Sequence, residues 1–264
     1  MKGHEHEYTR LICGHCGNVI NVPVYCGNRF CPECGKHRNK KIRYKLQTFL
    51  KTRHLRSSDS FKMLTLSVIS ASDLSAQFDH LIKSFRRLRQ RAFWKKHVRG
   101  GCSICEVTYS DKGWHAHLHI IIESAYIPHA KLLDHWRQCS GGTGCHIKRI
   151  PVNAIVSYVT KYVTKTTLPE DLQDSASTAL KSKRMFQPFG EWHNGINAVK
   201  PPIAVCGSCG FAAWDYLGNK LASELYAGSW QPLSNERASP KRERTKSHLS
   251  QCELSGMPTQ QLPF

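Results

Sequence analysis

Three histidines alternate with apolar residues in the run Trp-His-Ala-His-Leu-His that starts at Trp114. Read as a β-strand, this run points His115, His117 and His119 to one face, because strand side chains alternate with a period of two. A buried imidazole needs partners for both nitrogens, so three on one face suit a metal better than a core. Residues 120–122 are all isoleucine and predict a buried central strand that would hold the ligands rigidly. The alternative is a solvated polar face.

A carboxylate can be brought to the same face by a hairpin. Residues 102–109 form a second strand-like run, and the four residues that follow, Ser-Asp-Lys-Gly, have the composition of a turn. A tight antiparallel hairpin would place Glu106 opposite His117, whereas a slip of one residue would move it to the other face. Two imidazoles and one carboxylate with open coordination positions suit a divalent ion that also touches a substrate.

The charge balance of the chain indicates a polyanionic partner. There are 38 Lys and Arg against 19 Asp and Glu, which gives a formal net charge of +19 and a pI near 9.6. Nucleic acid is the simplest partner, and an anionic membrane surface is the alternative. No segment approaches the ~18 apolar residues of a spanning helix, and the N-terminus lacks the apolar core of a signal peptide. We therefore expect a cytoplasmic protein that binds DNA and no membrane.

Twelve cysteines in a reducing compartment, several of them in Cys-x-x-Cys pairs, indicate metal rather than disulfides. Two such pairs near the N-terminus match a four-thiolate zinc ribbon, whose ligands would be Cys13, Cys16, Cys31 and Cys34. Cys26 lies between the pairs and is a possible substitute ligand. A set of free or redox-active thiols is the alternative. The third pair, Cys206 and Cys209, could be half of a second site with Cys139, Cys145 or His193.

The order of predicted elements indicates an α+β fold. After a basic helix over residues 42–55 come a strand (61–69), a helix (74–97), the hairpin, a helix (129–139), a strand (145–150) and a helix (154–166). This order is typical of an antiparallel sheet with helices packed on one face, of the general RRM-like kind. We expect a zinc-ribbon segment (1–45), a central domain (46–200), a helical extension (201–231) with a helix over 217–226, and a basic disordered tail (232–264).

The long predicted helix carries a second basic surface. Its apolar positions follow the helical period, and its other side bears Lys83, Arg86, Arg87, Arg89, Arg91, Lys95 and Lys96. Asp79 is almost the only acidic residue there, so we favour phosphate contact over an ordinary solvated face.

The second stretch that could do chemistry is the helix over residues 154–166. Tyr158 and Tyr162 are four residues apart and share one helix face, while Lys161 and Lys165 share an adjoining stripe. A tyrosine hydroxyl can attack phosphorus and form a covalent phosphotyrosine link. A lysine one turn away could stabilise the phosphate or help the hydroxyl lose its proton. Tyrosines at helical spacing that merely pack in or around a core are the alternative.

Together these motifs resemble the HUH endonucleases, and most of all the rolling-circle replication initiators of plasmids and single-stranded DNA phages. The resemblance depends on residues 117–119 (His-Leu-His) within the longer run 113–119, and on the helical tyrosines with a lysine three residues after each. Residues 158–165 fit the two-tyrosine form. Residues 25–34 resemble the zinc-binding segment of these initiators and of two-tyrosine HUH transposases. The likeness covers roughly residues 13–165.

The resemblance implies a nicking and joining domain in which His117, His119 and a third ligand, Glu106 or His115, hold Mg²⁺ or Mn²⁺. One tyrosine, Tyr162 or Tyr158, would attack an origin phosphate and leave a 5′-phosphotyrosine and a free 3′-OH that primes synthesis. The implied partners are single-stranded or cruciform origin DNA and a host helicase and DNA polymerase. A transposase using the same strand transfer, and a zinc-ribbon DNA-binding regulator without chemistry, are the alternatives.

Overall fold

The computed structural model describes residues 6–26, 28, 30–57, 59–142, 144–164, 168–200 and 203–221. The chain divides into two compact units, the first formed by Gly27–Pro202 and the second by His4–Cys26 together with the residues from Ile203 onward. The predicted zinc-ribbon segment, residues 1–45, is therefore divided between the units. The second unit combines residues that are far apart in sequence, which local patterns do not reveal.

In chain order the strands are β1 (Glu7–Cys13), β2 (Val19–Pro23), β3 (Ser60–Ser67), β4 (Val98–Ser110), β5 (Gly113–Ser124), β6 (Gly144–Arg149), β7 (Phe186–Gly190) and β8 (Trp214–Leu221). The helices are α1 (Pro32–Lys51), α2 (Leu74–Gln90), α3 (Ala92–His97), α4 (His129–Ser140), α5 (Val152–Thr164), α6 (Glu170–Ala179) and α7 (Glu191–Ala198). Within these described elements, no helix is long and apolar enough to cross a membrane.

The first unit is built around a five-stranded sheet with the order β6-β3-β5-β4-β7, in which every neighbouring pair is antiparallel. The predicted α+β class with a central antiparallel sheet is thus confirmed. The predicted strand and helix order from β3 to α5 is also confirmed, although the helix expected over residues 74–97 ends at Gln90 and restarts as α3. At the break, Arg91 has an extended backbone, with φ −65° and ψ 142°.

Helices cover both faces of this sheet, and the expectation of helices on one face was wrong. On one face, α2, α3, α4 and α6 pack over a cluster that includes Leu64, Leu66, Phe78, Phe85, Trp94, Leu118, Ile120, Trp136 and Ala176. On the other, α1, α5 and α7 pack over Leu46, Phe49, Met63, Ile104, Ile121, Ile155, Val159, Trp192 and Ile196. Residues 120–122 are buried from both sides, which is why they read as a continuous apolar run.

The second unit is a three-stranded antiparallel sheet with the order β2-β1-β8. The helix expected over residues 217–226 is wrong over its described part, because Trp214–Leu221 forms β8 and pairs with β1. Gly218 lies in this strand at φ 121°, where the ladder between β1 and β8 shifts register, and this conformation excludes a helix. The predicted basic tail, residues 232–264, lies outside the described residues.

Candidate functional site

The β4–β5 hairpin sets the register of the candidate metal ligands. Its loop consists of Asp111 and Lys112, since Ser110 pairs with Gly113, and Gly113, directly after the loop, has a left-handed φ of 89° that favours glycine. A Cβ on Gly113 would also lie 2.6 Å from the carbonyl oxygen of Ala71. This turn places Glu106 directly opposite His117, as the sequence predicted. The carboxylate therefore lies on the histidine face.

Two imidazoles converge on one carboxylate oxygen. Oε2 of Glu106 lies 2.7 Å from Nε2 of His117 and 2.8 Å from Nε2 of His119. Glu106 and His119 are buried, at 5% and 8% exposure, and His117 is partly buried. The three ligand atoms lie within 4.8 Å of one another and could hold a metal ion. Nδ1 of His117 is buried and has no hydrogen-bond partner among the described residues, so the hydrogen bond of this ring is made through Nε2.

His115 shares the strand face but not this cluster. Its ring centroid is 5.5 Å from that of His117, and its Nδ1 lies 3.3 Å from the Ser70 hydroxyl oxygen. Burial lowers the pKa of His115, and the neighbouring His117 lowers it further. The structure thus brings Glu106, rather than His115, to the two histidines as the third candidate ligand.

Neighbouring elements fix the position of the strand and of its rings. Thr65, directly opposite His119 on β3, has its hydroxyl oxygen 3.5 Å from Nδ1 of that histidine. Gln77 on α2 is buried and makes three hydrogen bonds. Its amide donates to the carbonyls of Ile69, which follows β3, and of Trp114 on β5, and its oxygen accepts from the Ala116 N–H on β5. These partners orient the ligand strand in the way that second-sphere groups do in metal sites.

The tyrosine helix packs against the same face. The ring of Tyr162 stacks on that of His119, with centroids 3.6 Å apart and planes at 12°. The Lys161 ammonium lies 5.7 Å from the Tyr162 ring centroid. Tyr158, one turn earlier, is directed to a neighbouring position, where its hydroxyl accepts a hydrogen bond of 3.1 Å from Lys148. The structure therefore brings Tyr162, more than Tyr158, to the candidate ligands, and Lys165 lies outside the described residues.

Lys148 is a residue that sequence reasoning missed. It lies on the edge strand β6, and its ammonium is 5.1 Å from the Tyr158 ring centroid as well as bonded to its hydroxyl. His146, two residues earlier, pairs with Thr65 and so shares the face of His119. The alternation of His146 and Lys148 with apolar residues was the available signal, because in a strand it puts both on one face.

The second unit contains a four-cysteine cluster. The Sγ atoms of Cys13 and Cys209 are 3.6 Å apart, and those of Cys16 and Cys206 are 3.5 Å apart. These four could hold a metal ion. The two segments share the sequence Cys-Gly-x-Cys-Gly. In each, the N–H of the second glycine donates to the carbonyl of the first cysteine, from Gly17 to Cys13 and from Gly210 to Cys206. Both of these glycines have positive φ, 74° and 76°.

This cluster corrects the predicted set of four thiolate ligands. Cys13 and Cys16 have Cys206 and Cys209 as partners, in place of the expected Cys31 and Cys34. The suggestion that the third pair combines with Cys139, Cys145 or His193 is corrected as well. Cys31 and Cys34 belong to the other unit, where both are buried at the start of α1.

The four thiols of the cluster affect one another's pKa values. Burial acts to raise the pKa of Cys206, but N–H groups of Ser208 and Cys209 and the nearby thiols outweigh it and lower the pKa to about 6. The pKa of Cys13 is also lowered, chiefly by backbone N–H groups of Cys16 and His15. Backbone N–H groups thus favour the thiolate, the form that binds metal, at Cys13 and Cys206, whereas burial and the neighbouring thiols raise the pKa values of Cys16 and Cys209.

Comparisons with known proteins agree with one another. A family model, Rep_1, described as a replication protein, matches residues 17–190, which include the β4–β5 hairpin and α5. "Protein rep" of Streptococcus pneumoniae serotype 2 (strain D39 / NCTC 7466) is 30% identical over 109 residues, which are 39% of this chain and 34% of that protein. The chain thus matches about a third of the length of this relative. No solved structure matches the chain.

Proposed function

This chain belongs to the Rep_1 family of replication proteins, and we propose that it initiates rolling-circle replication by nicking one DNA strand at an origin. The observation that carries this proposal is the meeting of Glu106, His117 and His119 at one point, with Tyr162 stacked against His119. A nucleophile beside a carboxylate and two imidazoles is the arrangement that a metal-dependent phosphoryl transfer requires.

The three ligand atoms fit a hard or borderline divalent cation. One carboxylate oxygen and two imidazole nitrogens, without a thiolate, suit Mg²⁺ or Mn²⁺ and leave positions for phosphate oxygens. When bound, the ion supplies Lewis-acid polarisation of the scissile phosphate. Because Glu106 and His119 are buried, the charge of a bound ion would be poorly screened by water at this point.

Tyr162 is the nucleophile in this proposal. Its phenolic oxygen attacks the phosphorus, a new P–O bond forms, and the P–O3′ bond breaks. The phenol proton passes to solvent, and the 3′ oxygen takes up a proton to become the 3′-OH that primes synthesis. One phosphodiester replaces another, so no nucleotide cofactor is consumed and the 5′-phosphotyrosine can later be used to rejoin the strand.

Lysines beside the two tyrosines support the phenolate and phosphate charges. The ammonium of Lys161 lies close to Tyr162, and that of Lys148 donates to the Tyr158 hydroxyl. A cation at this distance can stabilise the negative charge of a phosphate that is being attacked. In the proposal, Tyr158 acts second, on the regenerated origin, and Lys165 has the supporting role that the sequence motif gave it.

We further propose that the Cys13, Cys16, Cys206 and Cys209 cluster binds structural Zn²⁺. Sulfurs at the corners of a tetrahedron with Zn–S bonds of about 2.3 Å are about 3.8 Å apart. The observed 3.5 and 3.6 Å are near that value and far above the length of a disulfide, about 2.05 Å. Such a site would stabilise a small sheet whose strands come from both ends of the described chain.

Family membership favours replication over the other functions considered. A two-tyrosine transposase would use the same site chemistry, but the family matched is that of replication proteins. A DNA-binding regulator without chemistry would not need Tyr162 beside the buried ligands. Origin DNA, single-stranded or cruciform, and a host helicase and DNA polymerase are the partners that the proposal requires.

A covalent adduct is the decisive test. The full chain would be incubated with Mn²⁺ and single-stranded oligonucleotides tiled across a candidate origin, then denatured and separated by size. We expect a protein–DNA adduct whose DNA-linked tryptic peptide contains Tyr162, with the DNA attached through its 5′-phosphate. The absence of any adduct across the origin would overturn the nicking proposal and favour a regulator.

A further inference from the structure

A basic groove lies at the β7 edge of the five-stranded sheet. It has a volume of about 580 Å³ and crosses the edge strand from one helical layer to the other. From α1 it receives Lys41 and Lys45, from α2 Arg86 and Arg89, and from the segment before β7 Arg184. None of the described residues that line it is acidic. Five cations therefore converge on one concave surface.

Within the part of the chain that the structure describes, none of these five cations has an ion-pair partner. Of the basic residues on α2, Arg87 donates to the Cys139 carbonyl and Arg91 to the Gln138 side chain. By contrast, Lys41, Lys45, Arg86 and Arg184 form no ion pair or hydrogen bond among the described residues. Cations held together without carboxylates repel one another, which favours an anionic ligand that neutralises them.

Arg89 gives a second, independent indication of an anion. Its guanidinium carbon lies 5.1 Å from the ring centroids of both Phe85 and Phe189, so the side chain is held in place by two aromatic rings. Its Nε is buried and has no hydrogen-bond partner among the described residues. Burial lowers the pKa of Arg89, and the nearby Arg86 lowers it further. A fixed, partly buried donor without an acceptor costs free energy unless a ligand supplies one.

We propose that this groove binds a segment of single-stranded DNA beside the nicking site. The choice of DNA as the polyanion rests on the proposed function, and the choice of a single strand rests on the groove itself. Phe186 lies partly buried in the wall, where it packs against the core, and His193 is exposed on α7. Aromatic faces next to backbone-binding cations are typical of single-strand binding, because unpaired bases can stack on them.

The groove leads toward the candidate metal ligands. Ile104 on β4 pairs with Phe186, and the next N–H, that of Cys105, donates to the Met185 carbonyl. From strand geometry, the backbones at Phe186 and Glu106 are about 8 Å apart. A strand held in the groove could therefore continue directly to the ligands and to Tyr162.

Binding without cleavage tests the groove. The full chain carrying Tyr162→Phe would be titrated, without added divalent ion, against a fluorescein-labelled 20-nucleotide oligo(dT) at several KCl concentrations, with anisotropy as the readout. Lys41→Gln with Arg86→Gln removes one cation from each side of the groove. We expect roughly tenfold weaker binding and a salt slope smaller by about 1.4, since each single-strand phosphate contact contributes about 0.7. Phe186→Leu should weaken binding by roughly tenfold and leave the slope unchanged.

The matched control removes two other exposed cations, with Lys51→Gln at the end of α1 and Lys131→Gln on α4. It should leave affinity and slope unchanged. The proposal would be overturned if the control and groove pairs lost affinity equally. It would also be overturned if the groove pair weakened binding to duplex DNA but not to oligo(dT). The two proposals fail separately: groove-dependent binding without any adduct refutes nicking alone, and efficient nicking with an unaffected groove pair refutes the groove alone.

Discussion

Tyr162 stacks on His119 with ring centroids 3.6 Å apart and an interplanar angle of 12°. This contact joins the helix that carries the proposed nucleophile to the strand that carries the candidate ligands. Tyr158, at the same helix face, instead accepts a hydrogen bond from Lys148. Two tyrosines that look equivalent in the sequence thus have different surroundings.

The first prediction is that the two tyrosines contribute unequally. Tyr162→Phe should reduce the first-turnover adduct below detection, because no hydroxyl remains beside the ligands. Tyr158→Phe loses one hydrogen bond, of about 1 kcal/mol, and should slow the adduct by about fivefold or less. Quench-flow with a 3′-labelled oligonucleotide measures both, and Tyr126→Phe, a highly exposed tyrosine, is the control. An adduct that survives Tyr162→Phe at wild-type rate would reject the assignment.

The second prediction concerns the divalent ion. Mn²⁺ at a hundredfold excess over its Kd should raise the free energy of unfolding by about 2.7 kcal/mol, if it binds only the folded chain. Glu106→Gln keeps the shape of the side chain but removes its charge, and should weaken Mn²⁺ binding at least tenfold. His115→Gln is the matched control, since His115 lies outside the three-residue group. Denaturant melts at several Mn²⁺ concentrations give both affinities. Equal losses in the two variants would contradict the proposed ligand set.

The sequence alone was sufficient to predict which side chains share the histidine face, because the geometry of a hairpin is local. A two-residue loop fixes the hairpin register, so the pairing of Glu106 with His117 follows from the turn and the alternation of side chains. The element order from β3 to α5 follows in the same way from periodicity. The different surroundings of Tyr158 and Tyr162 could not be predicted from the sequence. The hydrogen bond to Tyr158 comes from Lys148 on β6, and local patterns do not place that strand beside α5.

The cysteine partners were predicted wrongly because proximity in sequence was taken as proximity in space. Cys13 is 18 residues from Cys31 and 193 residues from Cys206 in the sequence. The pairing of β1 with β8 brings the distant pair close, and this ladder also replaces the expected C-terminal helix with a strand. The repeat of Cys-Gly-x-Cys-Gly at residues 13–17 and 206–210 was the available signal, and Cys31-Pro-Glu-Cys34 lacks its first glycine.

The third prediction distinguishes the two possible sets of zinc ligands. Bound zinc should protect cysteines from iodoacetamide, and mass spectrometry locates the alkylated residues. Replacing Cys13 and Cys16 by serine should expose Cys206 and Cys209 to alkylation and remove one zinc per chain. Replacing Cys139 and Cys145 by serine should do neither, because they belong to the other unit. Exposure of Cys31 and Cys34 instead, with Cys206 and Cys209 still protected, would restore the ligand set expected from sequence spacing.

The fourth prediction is a pH dependence of stability. A hydrogen bond from Arg53 lowers the pKa of Glu191 below its ordinary 4.5. The resulting stabilisation is fully present above pH 4.5 and is lost as the pH falls through the lowered pKa. Glu191→Gln should therefore flatten the pH dependence of the unfolding free energy below pH 4.5, by up to about 1 kcal/mol because the carboxylate is partly exposed. Asp111→Asn, in the exposed hairpin turn, is the control. Identical acid profiles for Glu191→Gln and the wild type would contradict this role.

The final prediction concerns a buried ion pair at the other end of the ligand strand. Glu123 is fully buried, accepts two hydrogen bonds from Arg53, at 2.7 and 2.8 Å, and another from the Trp192 indole. Arg53→Met leaves that carboxylate without its counter-charge and should lower the free energy of unfolding by about 3 kcal/mol in urea titrations.

Arg56→Met, at an exposed position 3.8 Å from Glu191, should change the unfolding free energy by less than about 0.5 kcal/mol. Adding Glu123→Gln to Arg53→Met should recover part of the loss, because the uncompensated charge is then removed. Glu123 is six residues from His117 along β5, or about 20 Å, so the adduct rate per folded molecule should not change. If Arg53→Met and Arg56→Met were equally stable, the pair would contribute no more to stability than an ordinary surface contact.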